Sequence, residues 1–132
     1  MKIHALRLIR GSDLKREIET YFRNNDINAG NIVTCVGCVY ELSIRMADGI
    51  TNKHIVDNLE IVSLIGTYTK DGAHLHIACS DIHGNTIGGH LNEGTLINTT
   101  AELVLMEIDE YEFSREFDKD TGYDELVIKK IV

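Results

Sequence analysis

Histidine residues are concentrated in one short part of this 132-residue chain. Four of the six lie within residues 72–91, and His74 and His76 are two positions apart. Because side chains alternate across a β-strand, this spacing places both imidazoles on one face of a strand. A turn signal at residues 83–85 then directs the chain back toward His90. Imidazole is the commonest metal ligand in proteins, so His74, His76 and His90 predict a metal site.

The loop between the two predicted strands decides whether His90 can reach the other two histidines. If residues 82–84 form a three-residue loop with Gly84 at a positive φ angle, His76 falls directly opposite His90. A two-residue turn would place His90 on the other face unless the chain bulges at residues 88–89. Adjacent glycines in a strand mark a bulge or a close backbone approach. Either arrangement can bring the three rings together.

The ligand set indicates which metal and which chemistry to expect. Nitrogen-only ligation favours zinc, with nickel and copper as other occupants of the same ligands. Three protein ligands and an open fourth position are typical of catalytic zinc, which can lower the pKa of bound water to about 7. A general base or a carboxylate supporting an imidazole would then lie nearby, and Glu60, Asp81 and Glu102 are the candidates. The remaining histidines are predicted to lie on the surface: His4, His54 and His83.

Length and composition are those of an ordinary globular domain. Hydrophobic residues make up 43% of the chain and charged residues 26%. Such a chain can bury a core without disulfides, so residues 1–132 are expected to form one domain. No apolar run reaches the ~18–20 residues needed to cross a bilayer, and the N-terminus lacks the pattern of a secretory signal. These features predict a cytoplasmic protein that does not associate with membranes.

The acidic balance of the chain argues against DNA as a partner. The formal net charge is −8, from 21 acidic and 13 basic side chains. Duplex DNA is bound largely through Lys and Arg contacts to phosphates, and this surface should on average repel it. The only adjacent basic pairs are Lys15–Arg16 and Lys129–Lys130.

The three cysteines are expected to be reduced, because their number is odd and their spacing wide. Cys35 and Cys38 match the C-x-x-C spacing of redox and zinc sites. They lie in a predicted strand, however, where positions i and i+3 face opposite sides. We therefore interpret these two residues as buried structural cysteines.

Hydrophobic periodicity predicts an α+β fold, a mostly antiparallel sheet with one N-terminal amphipathic helix packed on it. The helix begins after Gly11–Asp13 and ends at Asn24–Asp26, and its apolar stripe is Leu14, Ile18, Tyr21 and Phe22. Strands are predicted near residues 2–10, 31–40, 41–47, 59–68, 73–81, 86–91, 95–108 and 125–131. The charged segment 114–122 is predicted to hold a short turn.

The order of motifs resembles the PPC domain, the plants-and-prokaryotes conserved domain, over essentially the whole chain. The matching segments include Leu8-x-x-Gly11-x-Asp13-Leu14, Arg45, Glu60-Ile61-Val62-Ser63-Leu64-x-Gly66-Thr67, Gly72-x-His74-Leu75-His76-Ile77, Ser80-Asp81-x-x-Gly84, Gly88-Gly89-His90-Leu91 and Thr100-Ala101-Glu102-Leu103. The tail Phe113-x-Arg115-x-x-Asp118-x-x-Thr121-Gly122-Tyr123-x-Glu125-Leu126 is similar to the bacterial version.

The resemblance implies a compact α+β fold, a homotrimer and a family label of DNA-binding. In plants the domain is joined to AT-hook segments and meets protein partners partly through a Gly-Arg-Phe-Glu-Ile-Leu segment. The equivalent segment here is Asp57–Val62, in which only Glu60 and Ile61 match. No AT-hook is present in this sequence. Some stand-alone prokaryotic members bind zinc through the His motif.

Two functions follow from these observations. The first is a homotrimeric binding and assembly module in gene regulation, with a zinc site at the three histidines and a DNA or protein partner. The second is a zinc-dependent enzyme or small-ligand-binding protein with the open three-His site at its centre. The family label favours the first, and the chemistry of the histidines favours the second.

Overall fold

The computed structural model describes residues 1–131, in which the chain forms one helix and eight strands. In chain order these are β1 (Lys2–Ile9), α1 (Leu14–Asn24), β2 (Ala29–Arg45), β3 (Asn52–Thr69), β4 (Gly72–Ser80), β5 (Thr86–Leu91), β6 (Leu96–Glu107), β7 (Tyr111–Asp118) and β8 (Tyr123–Lys130). The predicted α+β class is confirmed. No helix in the described residues is long and apolar enough to cross a membrane.

Six strands form one antiparallel sheet in the order β1-β6-β2-β3-β4-β5, and β7 and β8 form a separate hairpin. The end of β2 also pairs with β5, so that the sheet curls back on itself. β2 can do this because it contains three register shifts against β6, which lie between residues 32 and 41. Such bulges bend a strand and increase its twist. The bend brings the last residues of β2 beside the strand that carries His90.

The helix packs on the concave side of this sheet through its apolar stripe. Leu14, Ile18 and Phe22 are fully buried, at the i, i+4 and i+8 spacing expected of one helix face. Asp13 caps the helix, because its carboxylate accepts from the backbone N–H of Arg16 at 3.1 Å. Its second oxygen accepts from Gly94 N at 2.8 Å, which ties the start of the helix to the loop before β6.

The strands differ from the predicted ones in three places. Residues 31–40 and 41–47 are one strand rather than two, since no turn interrupts β2 and partners flank it on both sides. β3 begins at Asn52 instead of residue 59, because its polar first residues pair with the end of β2 around the Asp48–Gly49 turn. Segment 114–122 contains the predicted short turn at residues 119–122, but residues 114–118 belong to β7, a strand that the charged sequence did not indicate and that pairs with β8 along its whole length.

The cysteines are free thiols, as predicted. Cys79 is buried, whereas Cys35 and Cys38 are half-buried, so the burial predicted for these two residues is only partial. Burial raises the pKa of Cys35 and of Cys79 to about 12, which leaves both thiols protonated and unreactive at neutral pH. Cys38 donates to the carbonyl oxygen of Asn98 at 3.1 Å.

The prediction that His4 lies on the surface is wrong. Its ring is half-buried between α1 and β6, with Nδ1 2.9 Å from the hydroxyl of Tyr21 and Nε2 3.0 Å from a carboxylate oxygen of Glu107. The physical reason is that β1 pairs with β6 and places His4 under the edge of the helix. His54 and His83 are exposed, as predicted.

Candidate metal centre

A row of side chains crosses four neighbouring strands and contains two of the three predicted ligands. Directly opposed residues are Ile65 and His76 on β3 and β4, His76 and His90 on β4 and β5, and His90 and Arg45 on β5 and β2. Residues opposed in antiparallel strands lie on the same face of the sheet. His74 is two positions from His76 and therefore shares that face. The pairing of strands thus gathers three imidazoles and one guanidinium.

The hairpin between β4 and β5 has the three-residue loop that places His76 opposite His90. Asp81 N donates to Asn85 O at 2.9 Å, and Gly84 has a φ angle of +80°. The carboxylate of Asp81 also accepts from the backbone N–H groups of His83 and Asn85, each at 2.9 Å. These bonds lower the pKa of Asp81, most through His83 N, and hold the loop closed.

Gly88 and Gly89 allow close backbone approach and do not form a bulge. The β4–β5 register runs without a shift from His76 and His90 to Ser80 and Thr86. A Cβ atom at Gly88 would lie 2.6 Å from the carbonyl oxygen of Ile77, and one at Gly89 would lie 2.6 Å from that of Arg45. Side chains at these positions would push β5 away from both of its neighbours. The two glycines therefore keep His90 close to the other ligands.

The three imidazoles fit a metal ion. The ring centroids are 5.1 Å apart for His74 and His76, 5.3 Å for His74 and His90, and 5.9 Å for His76 and His90. One nitrogen from each ring lies within 4.8 Å of the others, compared with about 3.3 Å between ligands placed 2.0–2.1 Å from a tetrahedral zinc ion. Side-chain rotations would have to shorten these separations when a metal ion binds. His90 Nδ1 is buried and has no hydrogen-bond partner in the described residues, as expected of an atom that ligates.

Burial and nearby positive charge favour the neutral form of His74 and His90, which is the form that binds metal. The pKa of His90 is lowered to about 4, by burial first, then by the charge of Arg45 and then by the two neighbouring histidines. The pKa of His74 is also lowered, by burial first and then by His76, Arg115 and Arg45, while Glu125 acts in the opposite direction. A neutral imidazole has a free lone pair at neutral pH, so no proton must leave before a metal binds.

A cleft leads to the histidines between the sheet and the β7–β8 hairpin. Its volume is about 450 Å³, within the usual range for small-molecule sites. Its lining comes from three places in the chain: Arg45 on β2, His74 and His90 on β4 and β5, and Arg115, Tyr123, Asp124 and Glu125 on the hairpin. Sequence reasoning did not assign a role to the arginines or the hairpin residues, although Arg45, Arg115, Tyr123 and Glu125 all occur in the family-like motifs.

The carboxylates proposed from the sequence lie elsewhere within the chain. Asp81 closes the hairpin loop, Glu102 lies on β6 beside a groove formed with β1 and β2, and Glu60 is exposed on β3. Asp124 and Glu125 are the carboxylates that line the cleft at the histidines. Ile61, which the resemblance implies contacts partner proteins, is 5% exposed and belongs to the core. Only Glu60 of that pair is therefore available on the surface.

Fold and site together define a class: a small β-rich domain with an open three-histidine centre at the base of a charged cleft. Comparison with protein-family models matches residues 1–109 to the Plants and Prokaryotes Conserved (PCC) domain. The chain belongs to this family. The match ends before β7, so the hairpin that walls the cleft lies outside the part of the family that the model describes.

Among curated proteins, the chain is similar to the bifunctional protein GlmU of two Synechococcus strains, JA-3-3Ab and JA-2-3B'a(2-13). Identity to each is 44% over 131 residues, which is 99% of this chain. The chain spans only 21% of the length of these relatives. The similarity therefore concerns one part of a much longer protein.

Three solved structures share the fold. A hypothetical protein from Salmonella cholerae-suis is 34% identical, with a TM-score of 0.95 and coverage of 99% of this chain and 95% of that one. A protein from Bacteroides thetaiotaomicron named as a candidate DNA-binding protein is 21% identical, with a TM-score of 0.85 and coverage of 95% and 91%. A metal-containing protein from Archaeoglobus fulgidus is 27% identical, with a TM-score of 0.81 and coverage of 96% and 94%.

Proposed function

We propose that this protein is a homotrimeric PCC-domain binding module that holds one divalent metal ion, with zinc as the first choice, through His74, His76 and His90. The observation that carries the proposal is the convergence of three imidazoles, one of which has a buried nitrogen without a partner in the described residues. The metal-containing relative from Archaeoglobus supports it. Nickel and copper suit the same ligands and are the alternatives to zinc.

The chain's own residues would determine what such a centre does. A zinc ion held by three imidazoles has an open position at which it acts as a Lewis acid. Glu125 lies close enough to influence the pKa of His74, and Asp124 is its neighbour in the cleft. A carboxylate in that position can accept a proton from a ligand that enters the cleft. This arrangement favours a metal-dependent enzyme or small-ligand-binding protein as the second candidate function.

The proposal is tested by elemental analysis of untagged protein purified without chelators. We expect about one zinc ion per chain, either as purified or after zinc is supplied and the excess is dialysed away. Absence of any stoichiometric divalent metal after both treatments would refute the metal centre. A stoichiometric metal other than zinc would correct the choice of ion and leave the ligand set standing.

The homotrimer is proposed from the family resemblance and from apolar surface on the central strands. Val33 and Val36 on β2, and Val62 and Ile65 on the paired strand β3, are each between 47% and 60% exposed. Assembly would cover this surface and the open edges of the sheet. We expect light scattering at micromolar concentration to give three times the 14.8 kDa mass of one chain. A monomer mass at that concentration would contradict the trimer.

DNA binding by this chain alone is not expected, despite the name of the Bacteroides relative. A trimer would carry a formal charge of −24, three times the −8 of one chain. Non-specific binders reach dissociation constants of roughly 10⁻⁴–10⁻⁶ M at physiological salt through several phosphate contacts. We expect weaker binding than this to a labelled random-sequence duplex. Tight binding whose logarithm falls linearly with the logarithm of salt concentration would restore DNA as the partner.

A further inference from the structure

The cleft beside the histidines contains two guanidinium groups that face the same space. Arg45 is directly opposite His90 across β5 and β2, so its side chain lies on the face that carries the imidazoles. Arg115 reaches the cleft from β7. The backbone of β7 is attached to the β3–β4 turn at this point, because Arg115 N donates to the carboxylate of Asp71 at 2.8 Å. A salt bridge of 2.8 Å between Lys70 and Glu112 adds to this attachment.

Neither guanidinium group has a partner within the part of the chain that the structure describes. In residues 1–131 no ion pair and no side-chain hydrogen bond joins Arg45 or Arg115 to another residue. Nε of Arg45 is, in addition, buried without a hydrogen-bond partner. Arg16, by contrast, has a carboxylate oxygen of Glu93 at 3.2 Å. A buried donor without a partner is costly, and an arginine fork is suited to bind carboxylate or phosphate through two parallel hydrogen bonds.

The acidic residues of the hairpin form no ion pair with either cleft arginine in residues 1–131. Both guanidinium groups therefore remain available to an anion that enters the cleft. Asp124 and Glu125 both lie on β8, on the side of the cleft formed by the hairpin. There they offer acceptors for hydroxyl or amino groups and repel a polyanion such as nucleic acid.

We propose that this cleft binds a small molecule through an oxyanion group, a carboxylate or a phosphate, held by Arg45 and Arg115 beside the metal. The hairpin carboxylates contact the remainder of the same ligand. The inference rests on the proposed metal centre, and it adds the ligand class and two binding residues that lie on β2 and on the hairpin. Tyr123 on the hairpin also lines the cleft and would contact the ligand from that side.

Titration calorimetry on zinc-loaded protein tests this at constant ionic strength, with inorganic phosphate in one arm and succinate in the other. We expect saturable binding of at least one of the two, and the tighter arm identifies the preferred oxyanion. Arg45→Gln and Arg115→Gln should each weaken that binding by tenfold or more while zinc content remains one per chain. Arg7→Gln, which removes an exposed arginine on β1 at the other edge of the sheet, is the matched control and should bind like the original protein.

The outcomes separate this inference from the proposed function. The oxyanion site is overturned if zinc-loaded protein binds neither probe. It is also overturned if replacing either cleft arginine leaves the affinity for both probes the same as in the original protein. Both results leave the metal centre intact. Protein that retains no metal under any condition overturns the metal centre and this inference with it. If the glutamine variants change the near-ultraviolet circular dichroism, which reports on tertiary structure, the experiment is repeated with Arg45→Lys and Arg115→Lys. The lysine variants keep the charge and lose the fork, and partial recovery of binding supports the assignment.

Discussion

His76→Ala is expected to remove most of the metal from the purified protein. His76 is a member of the cluster that lies opposite His90 on β5 and two positions from His74 on its own strand. Loss of a group that only supports a ligand already costs about 10–100-fold in metal affinity, and loss of the ligand itself should cost at least as much. The measurement is zinc per chain by elemental analysis after dialysis against metal-free buffer.

His83→Ala is the matched control for this experiment. His83 lies in the loop of the same hairpin, its side chain is exposed, and only its backbone N–H takes part in the bond to Asp81. Its replacement removes one imidazole from the chain without touching the cluster, so zinc content should not change. Equal zinc content in the His76→Ala and original proteins would show that the metal is bound elsewhere.

Phe22→Ala is expected to destabilise the fold by about 3–5 kcal/mol. The Phe22 ring is fully buried and stacks on Tyr68, with ring centroids 4.3 Å apart and an angle of 8° between the planes. Gly30 makes room for it, because a Cβ atom there would lie 2.5 Å from Cε1 of Phe22. The smaller side chain leaves a cavity between α1 and the sheet. A total stability of roughly 5–15 kcal/mol is usual for a domain, so the loss is a large part of it.

Phe117→Ala makes the same chemical change on the surface. Phe117 is 66% exposed on β7, and its replacement should change the free energy of unfolding by less than about 0.5 kcal/mol. Both variants are compared by urea unfolding at one protein concentration, because dissociation of an oligomer would otherwise shift the midpoint. Similar destabilisation by the two substitutions would show that the contact between α1 and the sheet is not what stabilises this fold.

Local features of the chain were sufficient to predict that His74, His76 and His90 come together. Strand alternation puts His74 and His76 on one face, and the sequence left two loops open, of which the structure has the three-residue loop with Gly84 at a positive φ angle. Helix α1 was equally predictable, because its capping residue and its apolar stripe both lie within one short segment of the sequence. The family resemblance, which the match over residues 1–109 confirms, also came from motifs in the sequence.

The surroundings of the site depended on contacts between distant parts of the chain. The sequence of β2 does not indicate the bulges that bend this strand and bring Arg45 opposite His90. A bulge is a register shift against a neighbouring strand, so it cannot be predicted from one strand alone. Nor does the charged segment 114–122 reveal a strand, since its stability comes from pairing with β8 and from attachment to the β3–β4 turn. The spacing of the histidines along the chain therefore predicted the cluster. The three-dimensional path of β2 and of the β7–β8 hairpin determined which charged residues surround it.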